Sequence, residues 1–129
     1  MARKASSKPT DSELEILRVL WDRGASTVGD VHEIVREDRD TGYTTVLKTL
    51  QIMLQKGLVS RDDSKRQHVY SAAAPEDETQ RHLMKDLLNR AFAGSMAKLV
   101  MHAISAKKAS RKELEEIRSL LDKLEGGRK

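Results

Sequence analysis

The 129-residue sequence contains no cysteine, and this absence excludes several kinds of protein. Without thiols the chain cannot form a disulfide framework, a thiolate nucleophile, a thiol redox switch or a cysteine-based metal site. Aromatic residues are also scarce, at 3%, whereas charged residues reach 34%. This mixture is typical of helical proteins whose surfaces carry many ion pairs.

Proline and long apolar runs are rare as well. No proline occurs between Thr10 and Ala74, so helices there can run uninterrupted. The N-terminal segment MARKASSKP is basic but has no apolar core, which argues against a secretory signal or a membrane span. We therefore expect a cytoplasmic protein without membrane insertion.

The sequence also lacks a recognisable catalytic or metal-binding constellation. His32-Glu33 begins like a zinc-helix motif, but position 36 is Arg rather than His. No Gly-rich phosphate loop and no nucleophile motif occurs. We predict that the protein is not an enzyme and has no metal or cofactor. The four histidines are scattered: His32, His68, His82 and His102.

The net charge of +4 is compatible with an anionic partner but is too small to require one. Residues 1–74 carry 12 Lys or Arg against 11 acids, so that half is not globally basic. Residues 41–70 are more basic, with five Lys or Arg against Asp62 and Asp63. Any surface that attracts an anion must therefore be local.

Three helices are predicted before residue 57. The first starts at a capping box formed by Thr10 and Glu13 and ends at Gly24. Its buried side is predicted to comprise Leu14, Leu17, Leu20 and Trp21. A short extended piece, residues 25–27, precedes a second helix near residues 28–36.

The third helix has a polar face without any acid. Thr41 can cap its start, and Gly57 is a normal helix stop. At 100° per residue its apolar residues fall on one arc. They are Tyr43, Val46, Leu47, Leu50, Met53 and Leu54. Opposite them lie Thr44, Thr45, Lys48, Gln51 and Gln55.

A β-hairpin follows, with strands at residues 58–61 and 67–71. Lys65 and Arg66 at its tip suit contact with DNA phosphates, whereas His68 either contacts phosphate or faces solvent. Three helices followed by a hairpin is the element order of a winged helix-turn-helix, in which the third helix reads the major groove. The fold class is thus mainly α with a small β-hairpin wing.

A second unit is predicted after the boundary at residues 72–75. Two helices with broad apolar stripes follow, the last starting at a capping box of Ser110 and Glu113. Two helices cannot bury both stripes alone, so we expect a two-helix dimerisation unit that pairs with a second copy. Its candidate contacts are Leu83, Leu87, Leu88, Phe92, Leu99, Leu114, Ile117 and Leu121.

Four segments carry a resemblance to a known family. PTDSELEILRVLW, VHEIV, YTTVLKTLQIMLQKGLV and the R-x-x-VY ending at Tyr70 resemble the penicillinase-repressor family of the BlaI and MecI type. The likeness covers about residues 9–124 in order and spacing. It implies a bacterial winged-helix repressor that binds palindromic operator DNA as a homodimer through its C-terminal helices.

The resemblance also implies roles for residues. Thr44, Thr45 and Lys48 would lie in the major groove, Tyr43 at the helix start and Arg66 on the wing. The full set of candidate DNA-binding residues is Tyr43, Thr44, Thr45, Lys48, Thr49, Lys65, Arg66 and His68.

Relatives of this family respond to copper or are inactivated by proteolysis, and the sequence bears on both properties. Copper sensing through C-terminal cysteine clusters is excluded, because the chain has no cysteine. Other relatives are inactivated when a membrane-bound sensor metalloprotease, or a process it triggers, cleaves an Asn-Phe bond in the C-terminal helix and so destroys the dimer. Here His102-Ala103 occupies the matching place, which departs from that pattern.

The predicted organisation is a disordered basic tail at residues 1–9, a DNA-binding winged helix at 10–74 and a helical dimerisation domain at 75–129. The competing interpretation is a protein-interaction module that keeps the winged fold without specific DNA binding. Binding to a palindromic duplex that falls steeply with salt would favour the repressor.

Overall fold

The computed structural model describes residues 8–106 and 108–126. Residues 1–7, which form most of the predicted tail, lie outside the described part. Within it, six helices accompany one antiparallel hairpin, which confirms the predicted fold class. The chain divides into two compact units, with the division between Leu83 and Met84. The elements are α1 (Asp11–Arg23), α2 (Val28–Asp38), α3 (Tyr43–Lys56), β1 (Val59–Asp62), β2 (Val69–Ala72), α4 (Glu76–Ala91), α5 (Met96–Ala106) and α6 (Arg111–Gly126).

Capping boxes start the first two helices. At α1 the Thr10 hydroxyl accepts from the Glu13 N–H, while the Glu13 carboxylate accepts from the Thr10 N–H. At α2, Thr27 and Asp30 make the same reciprocal pair. The first box confirms the sequence prediction, and the second had been missed because Asp stands where Glu or Gln is usual.

The start of α3 differs from the prediction. Gly42 rather than Thr41 is the N-cap, and no side chain caps the helix. The Thr41 carbonyl instead accepts a hydrogen bond from His32 Nε2 at 2.9 Å, which ties the α2–α3 connection to α2. The predicted stop at Gly57 is confirmed, since Gly57 adopts a left-handed conformation with φ of 83°.

One apolar core joins the three helices to the hairpin. Leu14 and Trp21, predicted to be buried in α1, are only half-buried, whereas Ile16 and Val19 are buried. The Trp21 indole N–H donates a hydrogen bond to the Ala74 carbonyl at 2.9 Å, so this side chain lies at the polar edge of the core. The buried set is Ile16, Leu17, Val19, Leu20, Val28, Val31, Val35, Val46, Leu50, Met53, Val59 and Tyr70.

The hairpin is fixed to this core by Tyr70, which is 1% exposed. Tyr70 pairs with Arg61 across the hairpin and exchanges two backbone hydrogen bonds with Ser26, at 2.8 and 2.9 Å. The predicted extended piece at residues 25–27 therefore adds a one-residue bridge to the wing. Both strands begin one or two residues later than predicted, because the last pair of the hairpin is Asp62 with Val69 and residues 63–68 form the turn.

A buried ion pair connects the start of α1 to the end of α3. Glu13 is 4% exposed, and its two carboxylate oxygens lie 2.8 and 3.0 Å from Lys56 Nζ. The same carboxylate accepts from the Thr10 N–H. One side chain thus caps a helix and neutralises a cation on another, which leaves its oxygens well satisfied despite burial.

The second unit contains a helix break that the sequence interpretation missed. The segment after Pro75 forms three helices in the described residues, not two. Ala93 and Gly94 have positive φ values of 50° and 82°, and the Ser95 hydroxyl accepts from the Lys98 N–H. A stop at Gly94 and a new cap at Ser95 therefore separate α4 from α5. The predicted capping box of Ser110 and Glu113 is confirmed at α6.

We expect Glu13→Ala to lower the free energy of unfolding of the first unit by about 1–3 kcal/mol, because it removes a cap and leaves the Lys56 amine unpaired. Glu15→Ala is the matched control, since Glu15 forms a more exposed pair with Arg39 and should cost less than about 1 kcal/mol. Urea unfolding followed by the fluorescence of Trp21 measures both. Equal losses for the two variants would contradict a special role for Glu13.

Candidate nucleic-acid interface

The outer face of α3 is exposed and polar. Thr44, Thr45 and Lys48 are exposed over the first turns, and no acid occurs in the helix. The opposite face is buried by Val46, Leu50 and Met53, as the helical wheel predicts. Gln51 and Gln55 continue the exposed face. Hydroxyl, amide and amine groups on such a face can hydrogen-bond base edges.

Thr49 differs from the other candidates on this helix. Its side chain is half-buried, and its hydroxyl donates to the Thr45 carbonyl at 2.8 Å. The proton of this hydroxyl is therefore used within the helix, and only the oxygen lone pairs remain for a ligand.

Tyr43 stands at the edge of the α3 apolar arc and is 50% exposed. Its ring packs edge-on against His32, with centroids 5.9 Å apart and planes at 79°. His32 also binds the Thr41 carbonyl, so it holds both the helix start and the Tyr43 ring. Sequence reasoning considered His32 only as a zinc-motif fragment and missed this positioning contact, which joins residues eleven apart.

The five cations of residues 41–70 fall into two groups. Lys56 is paired with Glu13, and Arg61 is paired with Asp63. Lys48, Lys65 and Arg66 are exposed and make no ion pair within 4 Å in the described part of the chain. These three of the five cations are therefore available to an anion.

A groove separates the starts of α2 and α3 from strand β2. Its volume is about 290 Å³, and it brings together Tyr43, Arg66 and His68 among the predicted site residues. The other five predicted residues do not line it: Thr44, Thr45, Lys48, Thr49 and Lys65. The remaining lining residues are Thr27, Val28, Gly29, Leu47, Gln67 and Tyr70.

The wing turn is organised by Asp62. Its carboxylate accepts from the Ser64 hydroxyl at 2.6 Å and from the Ser64 N–H at 2.9 Å. These two bonds, together with the nearby charge of Lys65, lower the pKa of Asp62 below its ordinary value. Asp62 thus remains a carboxylate and shapes the turn that presents Lys65 and Arg66.

Next to this turn, Asp63 lies beside two basic side chains, Arg61 and His68. Its Oδ1 lies 2.7 Å from Arg61 Nε and 3.7 Å from His68 Nε2. Hydrogen bonds to the Tyr70 side chain and then to Asp63 raise the pKa of Arg61, so the guanidinium stays charged. The sequence analysis counted Arg61 and Asp63 among the charged residues of 41–70, but the sequence alone does not show that they contact each other.

The second unit exposes apolar side chains along all its helices. None of residues 84–106 and 108–126 is buried. Of the predicted dimer residues, Leu87, Leu114 and Leu121 are exposed, with 48%, 36% and 55% of their surface accessible. The others, Leu83 of the first unit and Leu88, Phe92, Leu99 and Ile117 of the second, are half-buried. Met84, Met96, Val100, Met101, Leu120 and Leu124 are also exposed.

His102 and Ala103, the predicted cleavage position, lie inside helix α5. Both residues are exposed, and the His102 ring lies 5.6 Å from the ring of Phe92. A protease that binds extended backbone would require local unwinding of α5. Release by proteolysis at this bond stays a prediction.

No helix in residues 8–106 and 108–126 combines the length and apolarity needed to span a bilayer. The same residues contain no group of three His, Cys, Asp or Glu side chains that could hold a metal ion.

Comparison with known proteins shows which family the chain resembles. A family profile described as "Penicillinase repressor" matches residues 9–123. The chain is 34% identical over 119 residues to "Transcriptional regulator BlaI" of Mycobacterium tuberculosis strain H37Rv, covering 91% of this chain and 85% of the relative. It is 21% identical over 114 residues to "Methicillin resistance regulatory protein MecI" of Mammaliicoccus sciuri, covering 88% and 93%.

A third relative, the "Penicillinase repressor" of Staphylococcus aureus, is 21% identical over 111 residues, covering 86% of this chain and 88% of the relative. These matches confirm the resemblance read from the four sequence segments. The family and its relatives are transcriptional regulators, which also confirms that the chain is not an enzyme. The exposed α3 face, the basic wing and the family profile lead to one conclusion: this chain belongs to the penicillinase repressor family of transcriptional regulators.

Proposed function

We propose that the protein is a bacterial transcriptional repressor that binds palindromic operator DNA as a homodimer. The observation that carries this proposal is the exposed, acid-free face of α3 together with a wing on which Lys65 and Arg66 make no ion pair within 4 Å in the described part of the chain. Its relatives are named as repressors or regulators, which supports the same role. Operator DNA as the target would make the bacterial cytoplasm its place of action.

In this proposal α3 enters the major groove, which admits a helix and presents a distinct donor and acceptor pattern for each base pair. Thr44, Thr45 and Lys48 are the side chains that reach base edges or nearby phosphates. Tyr43, held by His32, contacts the backbone at the start of the helix. Thr49 contributes only an acceptor, because its proton is bound to the Thr45 carbonyl.

The wing then lies along the sugar-phosphate backbone. Lys65 and Arg66 supply charge at the turn that Asp62 shapes, and His68 borders the groove beside Tyr43. Contacts of this kind set the register of a protein on the duplex and add affinity without reading sequence. In this proposal α3 discriminates between base sequences, and the wing adds affinity by binding the DNA backbone.

Homodimerisation is supported by the second unit. Its helices bury no residue on their own in the described part, and apolar faces of that extent require a partner. A second copy satisfies both chains with one isologous contact and gives two α3 helices related by a two-fold axis. Such a pair matches a palindrome with half-sites about one helical turn apart or a small multiple of it.

We expect Lys48→Ala or Thr44→Ala to weaken operator binding by about 1–3 kcal/mol and to relax sequence preference. Arg18→Ala is the control, since it removes an exposed cation that belongs to α1 and not to α3 or the wing. Titration with operator and with random duplex measures both quantities. Equal losses on the two duplexes would show that these side chains only position the protein.

The wild-type protein provides the test of the whole proposal in the same titrations. An operator is obtained by selecting bound genomic fragments. Binding that is weak and indifferent to sequence would instead support the protein-interaction module.

For Arg66→Ala we expect weaker binding to all sequences and a salt dependence that is flatter by about one unit of slope per protomer, because one phosphate contact is lost. The measurement is the operator affinity at several salt concentrations. An unchanged slope would remove Arg66 from the phosphate contacts.

Leu121→Asp should convert the dimer to a monomer and weaken operator binding strongly, because a charge is placed on the apolar stripe of α6. Ser119→Asp adds the same charge on the other side of that helix and should leave the dimer intact. Sedimentation of both variants gives the oligomeric state. A Leu121→Asp protein that stays dimeric would refute pairing through α6.

A further inference from the structure

A carboxylate on the wing, Asp63, contacts two basic side chains, Arg61 and His68, and His68 lines the groove. Asp63 contacts Arg61 through two atom pairs, Oδ1 to Nε at 2.7 Å and Oδ2 to Nη2 at 3.3 Å. Only the Nη2 contact is a hydrogen bond, whereas Nε is buried and makes a charge contact without one. Asp63 therefore occupies the Nη2 group of Arg61, a donor of the kind that also binds a DNA phosphate.

Asp63, Arg61 and His68 lie close to the groove between α2, α3 and β2. Arg61 pairs directly with Tyr70 across the hairpin, so the two side chains share one face of the wing. Tyr70 and His68 line the groove beside Tyr43 and Arg66, and His68 Nε2 lies 3.7 Å from Asp63. The negative charge thus lies within a few ångströms of groove-lining residues on the wing face that carries Tyr70.

We propose that Asp63 competes with DNA phosphate for Arg61 and so limits how tightly the wing holds DNA of any sequence. This inference rests on the proposed DNA-binding function. Asp63 is 55% exposed in its side chain and Arg61 28%, so the pair is accessible to solvent and can exchange partners. Arg61 is a latent backbone contact, added to Lys65 and Arg66 only when phosphate displaces the carboxylate.

Such a competitor has a use in a DNA-binding protein. Phosphate contacts supply nearly all of the non-specific affinity, and a repressor searches among a vast excess of non-specific sites. A wing with every cation free would hold those sites longer. An internal carboxylate lowers the affinity for the backbone while leaving the base contacts of α3 unchanged.

The test is Asp63→Asn in the full-length protein, titrated with random-sequence duplex at several salt concentrations. We expect binding to tighten about two- to fivefold at low salt and the salt slope to steepen by about 0.9 per protomer. Operator binding should tighten by the same factor, which leaves the ratio of the two affinities unchanged. Asp22→Asn on α1 is the charge-matched control and should have a smaller effect.

Arg61→Gln identifies the competed group. The gain from Asp63→Asn should vanish in an Arg61→Gln background, and its persistence there would assign the effect to plain charge repulsion and overturn the exchange. As a second measurement on the wild-type protein, the Nε–H resonance of Arg61 should shift when random duplex is added. An unshifted resonance also overturns the proposal.

The two proposals fail in different ways. A wild-type protein that does not prefer operator to random duplex would refute the repressor function. A wild-type protein that prefers operator, with an Asp63→Asn variant whose salt slope is unchanged or whose operator-to-random ratio changes, would refute only the role of Asp63.

Discussion

The pairing of Glu13 with Lys56 ties the start of α1 to the end of α3, the helix proposed to read DNA. Glu13 is almost fully buried at the start of α1, and its carboxylate binds the amine at the end of α3 while capping its own helix. Removing a carboxylate of this kind from water is unfavourable unless every oxygen finds a partner. The contact is therefore made only where the start of α1 lies beside the end of α3, an arrangement that the apolar core shared by the two helices also supports. The exposed face of α3 inherits that position.

Local signals account for most of what the sequence predicts correctly. The capping box of Thr10, the stop at Gly57 and the polar face of α3 each depend on residues within one or two turns, and each is confirmed. The shift of both strands could not be predicted this way. It depends on the register of the hairpin, which pairs Asp62 with Val69 and leaves residues 63–68 as the turn. The bridge between Tyr70 and Ser26 could not be predicted either, because it joins segments more than forty residues apart.

The errors have equally specific causes. A stop and a cap stand side by side at Gly94 and Ser95, yet the apolar spacing continues across them, so the pattern favoured one long helix where there are two. At the candidate site the sequence shows which residues are charged, but only the folded structure shows which cations lie beside a carboxylate. Lys56 and Arg61 are neutralised by Glu13 and Asp63, whereas Lys48, Lys65 and Arg66 remain available for the proposed DNA contacts.

The unburied helices of the second unit have a consequence for how the protein responds to its own abundance. If a second copy supplies the missing core, folding of this segment and association become a single equilibrium. At low concentration the amount of paired protein then varies with the square of the chain concentration, so halving the supply of chains lowers it by about fourfold. Occupancy of a promoter would therefore change more steeply than protein synthesis does, without any ligand to amplify the signal.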